Sequence, residues 1–210
     1  MENYCINNEI DDYFICNLNH DNAKSLLSTS IICGSIETAR YIISTINLKI
    51  FNWDHLLNLA VVAGHLNMVE LCIKSGLSNP ANSDSMSLKI ASTMGEKSIV
   101  KYLIEQGADP KASDSYSVLV ASSNGHINTV ELLLGHGAKL NNFALIWAFK
   151  NDRYEMVEYL IKKRGMSRDI TRGVSSSRSN MYKIAYYIDN NDYCLKRSLG
   201  DKNITSLFKS

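Results

Sequence analysis

The sequence has only two prolines among 210 residues, and it lacks any uninterrupted run of about 18 apolar residues. The scarcity of proline, together with only 11 glycines, argues against collagen-like segments and long low-complexity linkers. A membrane-spanning helix needs about 20 predominantly apolar residues, so we expect no membrane span. Hydrophobic residues make up 45% of the chain and charged residues 20%, which is typical of a folded protein.

Cysteine forms neither a recognisable metal site nor a disulfide framework. The five cysteines are odd in number, scattered and never spaced as C-x-x-C: Cys5, Cys16, Cys33, Cys72 and Cys194. We therefore predict free thiols, which persist in reducing compartments. A cytoplasmic or nucleocytoplasmic location follows as an expectation.

The motifs of common catalytic and nucleotide-binding sites are also missing. The patterns G-x-x-x-x-G-K-[ST], G-x-S-x-G and H-E-x-x-H do not occur. The serine-rich stretch RGVSSSRSN (172–180) lacks the lysine and the preceding strand of a phosphate-binding loop, and we interpret it as a polar capping helix. We predict that the chain is not an enzyme and takes no cofactor, metal or small-molecule substrate.

Charge is unevenly distributed along the chain. Residues 1–161 carry 11 Lys and Arg against 17 Asp and Glu, whereas residues 162–210 carry 11 against 4. The second segment is therefore strongly basic, and its basic patch is predicted to include Lys162, Lys163, Arg164, Arg168, Arg172 and Arg178. A basic segment with interleaved tyrosines has the composition of a nucleic-acid or anionic-surface contact, but it also fits a solubilising cap.

The feature that organises the chain is an internal repeat. Gly34, Gly64, Gly95 and Gly125 recur at intervals of 30, 31 and 30 residues, and we call this position the corner residue. A small residue lies four positions before each corner, and mostly apolar residues lie five and eight positions after it. The three sets are Ser30, Ala60, Ala91 and Ala121; Ala39, Val69, Val100 and Val130; and Ile42, Cys72, Leu103 and Leu133. These offsets predict two short helices in each repeat, each burying one face.

The unit around Gly125 shows the helical period most clearly. Its second helix is predicted to place Ile127, Val130, Leu133 and Leu134 on one face, with Thr129 pointing away alongside its polar neighbours.

Helix ends and weaker copies follow the same pattern. Gly76, Gly107 and Gly137 are placed to end the second helices as C-cap glycines. A weaker copy follows, in which Asp152 replaces the corner glycine. Because Asp enters the left-handed backbone region less readily than Gly, we expect this corner to be slightly strained or reshaped.

The stretches GADPKA (107–112) and ASSNGHINTVELLL (121–134), with Gly137-Ala138 after them, resemble ankyrin repeats. The resemblance extends over roughly residues 25–190. It implies an all-α fold, an ankyrin-type α-solenoid of stacked helix–turn–helix repeats.

Two departures from the family pattern affect the expected surface. The T-P-L-H opening of the family is replaced by HLLN (55–58), MSLK (86–89) and YSVL (116–119), and the units run 27–31 residues instead of about 33. By alignment, the missing residues fall between Asp109 and Tyr116, so we expect short or vestigial β-turn fingers, shortest around Leu140–Asn142. Short repeats and an Asn/Ile/Lys/Tyr-rich composition are similar to ankyrin proteins of giant DNA viruses, which would place the protein in a host cell.

The repeat alignment divides the chain into predicted segments. An N-terminal cap or flexible segment (1–24) precedes five repeats and a degenerate capping repeat, and a basic tail follows them. The repeats are predicted at 25–54, 55–85, 86–115, 116–142 and 143–170, the capping repeat at 171–190 and the tail at 191–210.

Histidine and carboxylate side chains have structural explanations. His65 and His126 occupy equivalent positions two repeats apart, too far from each other to share a metal. We predict that each imidazole bonds backbone near its own corner. Glu70 with Lys74, and Glu158 with Lys162, are spaced for exposed i,i+4 ion pairs.

The resemblance implies a binding scaffold that contacts an unidentified protein partner through the concave face of its repeats. Alignment places nine candidate binding residues there: Ser85, Thr93, Met94, Ser115, Ser123, Asn124, Asn142, Lys150 and Asn151. We expect the scaffold to act as a monomer.

Two alternative functions come from other regions. Binding of nucleic acid or an acidic partner through residues 162–210 would fit the basic patch. A ubiquitin-ligase substrate adaptor, as among some viral ankyrin proteins, would need a C-terminal F-box-like segment, and residues 191–210 show no match to one.

Overall fold

The computed structural model describes residues 20–45, 52–76, 78–81, 83–162 and 164–165. The chain divides into two compact units, Met1–Met156 and Val157–Ser210. The predicted segments 171–190 and 191–210 lie outside the described residues, and the predicted repeat boundaries stay predictions.

Ten α-helices and a short 3-10 helix at Ser83–Ser85 account for most of the described chain, and these parts contain no strand. The helices are α1 His20–Cys33, α2 Ile36–Thr45, α3 Trp53–Val62, α4 Leu66–Lys74, α5 Met86–Met94, α6 Lys97–Glu105, α7 Ala112–Asn124, α8 Ile127–Gly135, α9 Asn142–Lys150 and α10 Tyr154–Lys162. Helix α1 begins inside the segment 1–24 that was predicted as a cap.

The first unit is a stack of helix pairs. Helices α1 and α2, α3 and α4, α5 and α6, and α7 and α8 pack within pairs. The first helices of successive pairs (α1, α3, α5, α7 and α9) pack in chain order, as do the second helices α2, α4, α6 and α8. This arrangement confirms the predicted all-α stack of helix–turn–helix repeats.

The corner residues turn the chain between the two helices of a pair. Gly95 has a φ of +78°, in the left-handed region where a Cβ is unfavourable. Asp152, which replaces the corner glycine between α9 and α10, has a φ of +58°. The aspartate therefore keeps the left-handed backbone of the corner glycines, a conformation less favourable for Asp than for Gly, and the corner is not reshaped.

The core follows the predicted columns. All twelve small and apolar residues at the three aligned positions are buried, with exposures from 0% to 5%. One neighbouring prediction was wrong: Thr129 does not point to solvent but is 1% exposed. Its Oγ1 donates a hydrogen bond to the Gly95 carbonyl oxygen at 3.3 Å. A β-branched polar side chain is thus buried because the preceding repeat offers it a backbone acceptor.

The connection from Gly107 to Tyr116 contains no strand, in line with a short finger. The Asp109 side chain accepts the Lys111 backbone N–H at 2.9 Å and tightens the turn. Backbone φ is then positive from Ser113 to Ser115, between +50° and +61°. A left-handed turn therefore takes the place of the projecting hairpin.

Candidate protein-binding face

Large apolar side chains at the surface are concentrated on the first helices. Eight such residues are exposed in the described part of the chain, and seven of them lie on α1, α3, α5, α7 or α9. The seven are Ile32, Val62, Met86, Met94, Tyr116, Phe143 and Trp147. We call this side of the first unit the first-helix face.

Three of these residues occupy equivalent positions. Met86, Tyr116 and Phe143 each lie nine residues before a corner residue, where the family carries the threonine of T-P-L-H. Their exposures are 47%, 45% and 48%. The departure from T-P-L-H that the sequence shows thus exposes large apolar side chains. Aligning the columns could have revealed them, but the nine predicted binding residues are polar except for Met94.

Two of the nine predicted binding residues are inaccessible. Ser85 and Ser115 are each 2% exposed. The Ser85 hydroxyl accepts the Asp109 N–H at 3.0 Å, and the Ser115 hydroxyl accepts the Lys139 N–H at 2.8 Å. These serines join successive repeats, and a partner would not reach their side chains.

The other seven predicted residues lie on first helices or directly after them. Met94, Asn142 and Lys150 are exposed. Asn151 donates to the Ser123 carbonyl and hydroxyl oxygens at 2.9 and 2.6 Å, which links neighbouring repeats. Asn124 donates to the Val120 carbonyl at 2.8 Å.

Thr93, the remaining member of the set, is exposed, and its hydroxyl donates to the Lys89 carbonyl at 2.8 Å. Much of the predicted polar set is therefore already used in bonds within the stack. Its role in binding stays a prediction.

Two lysines lie over the exposed aromatic rings. The Lys89 ammonium lies 5.9 Å from the Tyr116 ring centroid, and the Lys150 ammonium 5.2 Å from that of Trp147. Lys89 also forms a 2.5 Å ion pair with Asp84. Hydrogen bonds from Lys89 and from the Ser113 hydroxyl hold the pKa of Asp84 below its usual range.

The histidines of the two Gly-His pairs connect repeats. His65 Nε2 lies 3.1 Å from the Ile32 carbonyl oxygen, and His126 Nε2 lies 3.0 Å from that of Thr93. Each imidazole bonds backbone as predicted, but the acceptor belongs to the preceding repeat and not to the corner that carries the histidine. The geometry nevertheless indicates a structural role for both imidazoles. No group of three or more His, Cys, Asp or Glu in the described residues could hold a metal ion.

Both ion pairs that were predicted at i,i+4 spacing form. Lys74 and Glu70 are paired at 2.5 Å, and Lys162 is paired with Glu158. Arg164 donates to the Tyr159 hydroxyl at 2.9 Å. Lys162 and Arg164 are the members of the predicted basic patch within the described residues. Lys163, Arg168, Arg172 and Arg178 lie outside them.

The cysteines only partly match the expectation of free thiols. Cys72 is free and buried, and burial raises the pKa of its thiol to about 12. Cys33 is disulfide-bonded, so the prediction of five free thiols was wrong. The prediction of a reducing compartment depended on free thiols, so it loses that support.

No helix among the described residues has the length and apolar character needed to cross a membrane.

Stacked helix pairs with an exposed first-helix face define a helical-repeat protein. A profile of the family described as ankyrin repeats (3 copies) matches residues 44–114 and 114–172. The chain belongs to the ankyrin repeat family. No curated protein matches it significantly. Ankyrin repeats generally mediate protein–protein interaction, and the family is typically a non-enzymatic scaffold.

Proposed function

We propose that the protein is a non-enzymatic scaffold that binds another protein through its first-helix face, the side predicted to be concave. The observation that supports this most strongly is that seven of the eight large apolar side chains exposed in the described residues lie on first helices. Interfaces are enriched in aromatic residues and methionine at their centres. The second helices instead expose mainly polar residues such as Lys97, Asn128 and Glu131.

Aromatic and methionine anchors give this face a source of affinity. Truncation of a few central residues usually removes most of the binding energy of an interface. Tyr116, Phe143 and Trp147 are 45%, 48% and 44% exposed, so a partner would bury substantial additional apolar surface. Polar residues next to Met94, among them Thr93, would form the rim of this interface.

The proposed location is the cytoplasm or nucleocytoplasm, of a host cell if the similarity to giant-virus ankyrin proteins reflects its source. A monomeric state is part of the same proposal.

A substitution experiment with two matched triple variants tests the binding face. One variant changes Met86, Tyr116 and Phe143 to serine, and the control changes Lys97, Asn128 and Glu131 to serine on the second helices. Circular dichroism and thermal unfolding establish that both fold. Quantitative affinity capture from expressing cells should recover the same partner with wild type and control and lose it with the first variant.

Equal recovery with both variants would reject the first-helix face. A third variant, with Lys163, Arg168, Arg172 and Arg178 changed to glutamine, separates the alternative site. Loss of the partner only in that variant would assign binding to the basic segment.

A further inference from the structure

The first-helix face carries two parallel apolar rows across three repeats. The outer row contains Met86, Tyr116 and Phe143, nine residues before each corner, and the inner row contains the apolar residues five before it. The inner row consists of Ile90, Val120 and Trp147. Positions four apart on a helix share a face, and the three helices concerned, α5, α7 and α9, pack side by side. The six side chains therefore form a two-by-three grid.

The grid has no charged residue at any of its six positions. Ile90 and Val120 are partly exposed, and Trp147 is 44% exposed. Exposed apolar side chains on adjacent helices, bordered by polar residues, are typical of a binding surface. Its chemistry selects a partner segment with apolar side chains at the spacing of the repeats.

The distance between neighbouring first helices indicates which conformation the bound segment adopts. Packed neighbouring helices lie about 8–10 Å apart, so each row presents one side chain at about that interval. A polyproline II segment has three residues per turn and rises about 3.1 Å per residue, which brings every third side chain to one side at about 9.3 Å. A β-strand repeats on one face at about 6.6 Å, too short for the rows. An α-helix meets the interval only about every seventh residue.

A lysine side chain places a positive charge at the α9 end of the grid. The Lys150 ammonium lies over Trp147, and the described residues give it no carboxylate partner. Lys89, in contrast, is paired with Asp84. An unpaired cation beside an aromatic ring is complementary to a carboxylate on the ligand next to its last apolar residue.

We propose that the two rows bind a polyproline II segment of a protein partner, with an apolar residue at every third position and an acidic residue next to the one that contacts α9. This inference rests on the proposed function, because it places the partner on the same face. Aromatic-lined grooves are a recognised way to bind such segments, since the ligand is already extended and loses little entropy.

Synthetic peptides test the proposal on the full-length protein. The probe is LPPLPPLE with an N-terminal fluorescein, in which leucine occupies every third position and glutamate follows the last leucine. The first comparison peptide has the same composition with leucine at every second position. The second is an alanine-based helical peptide with leucine at every seventh position. The third replaces the glutamate of the probe by lysine.

Fluorescence anisotropy should show saturable binding of the probe, with affinity about tenfold above that of the first two comparison peptides. Tyr116→Ser should weaken probe binding about tenfold, as expected for a central anchor, whereas Asn128→Ser should leave it unchanged. Trp53 is 6% exposed and Trp147 44%. Binding should therefore change the tryptophan emission of the wild type but not that of Trp147→Phe.

The charge assignment has its own test. The lysine peptide should bind several-fold more weakly than the probe at low salt, and Lys150→Glu should reverse that preference. A retained preference for the glutamate peptide in Lys150→Glu would overturn the assigned charge contact.

Stronger binding of the helical or alternating peptide, or no saturable binding of the probe, would overturn the polyproline II assignment. In that case the proposed function still stands if partner capture depends on Met86, Tyr116 and Phe143. Failure of both experiments would reject the face itself.

Discussion

His126 Nε2 lies 3.0 Å from the carbonyl oxygen of Thr93, thirty-three residues earlier in the chain. Because a carbonyl oxygen only accepts, Nε2 carries the proton of this hydrogen bond. Thr93 is near the end of α5, where helix carbonyls lack intrahelical partners. The imidazole therefore caps the helix of one repeat from the corner of the next.

The same position connects every pair of successive corners in the first unit. The residues after the corners are His65, Glu96, His126 and Arg153, and a Cβ added to the preceding corner glycine would meet each of these side chains within 4 Å. The side chains of two histidines, a glutamate and an arginine thus occupy equivalent positions beside the preceding corner. Only the histidines form the described bond to a carbonyl of the preceding repeat.

Replacing His126 by alanine should destabilise the fold. The substitution removes the hydrogen bond to the Thr93 carbonyl, at a cost of about 0.5–1.5 kcal/mol in the free energy of unfolding. Urea denaturation followed by circular dichroism measures the change. His136→Ala is the matched control, because His136 is exposed and should cost little. Equal stability losses in the two variants would contradict the proposed capping bond.

Gly95→Ala should be more destabilising than Gly76→Ala. Both glycines have positive φ, +78° and +69°, so both alanines carry the left-handed backbone cost of about 1–2 kcal/mol. A Cβ at position 95 would also lie 2.4 Å from His126 Nδ1, whereas one at position 76 meets nothing within 4 Å.

The double variant Gly95→Ala with His126→Ala isolates the clash. In the His126→Ala background, the cost of Gly95→Ala should fall to that of Gly76→Ala, which gives a measurable coupling energy. An additive result in this cycle would show that the imidazole does not limit the corner position.

The helix pairs could be predicted from the sequence because the information is local. A small residue at Ala121 and apolar residues at Val130 and Leu133 define buried faces by helical period alone, and all three are fully buried. The alignment of Asp152 with the corner glycines also came from the sequence, and this residue shares their left-handed backbone. Each inference needed only one repeat and its copies.

The inaccurate predictions concern side chains whose environment comes from a neighbouring repeat. Thr129 is buried against the Gly95 carbonyl, and Ser85 and Ser115 bond to backbone 24 residues later. The period within one helix carries no information on these hydrogen-bond partners in the neighbouring repeat. Reading down the aligned columns would have found the apolar row at Tyr116 and Phe143, because its members are large and apolar where the family has threonine.

Acid should remove the stabilising contribution of Asp84. Its pKa is lowered in the folded state, chiefly by hydrogen bonds from Lys89 and Ser113, so its contribution is present above the unfolded-state pKa of about 3.9 and is lost as pH falls through the lower folded-state value. Asp84→Asn keeps a residue that tolerates left-handed backbone. The stability gap between wild type and Asp84→Asn should therefore close below about pH 4.

Urea denaturation at a series of pH values measures this gap. Asp114→Asn is the control for loss of a carboxylate, because Asp114 is also exposed and has a φ of +56°. The relevant quantity is the difference between the two variants' pH profiles. A gap for Asp84→Asn that stays constant into acid would rule out the ionised hydrogen-bonded pair.

The Cys72 thiol should resist alkylation until the protein unfolds. It is 1% exposed, and burial raises its pKa to about 12. At pH 8 the reactive thiolate would then be about one part in ten thousand. Iodoacetamide labelling followed by peptide mass spectrometry should show slow modification of Cys72 in the native protein. Labelling should accelerate with urea in parallel with the loss of helical circular dichroism, because exposure of Cys72 requires α4 to leave the stack.

Cys72→Ala gives the background from the other cysteines. Rapid labelling of Cys72 without urea would show that this part of the stack opens locally, and would contradict the burial on which the prediction depends.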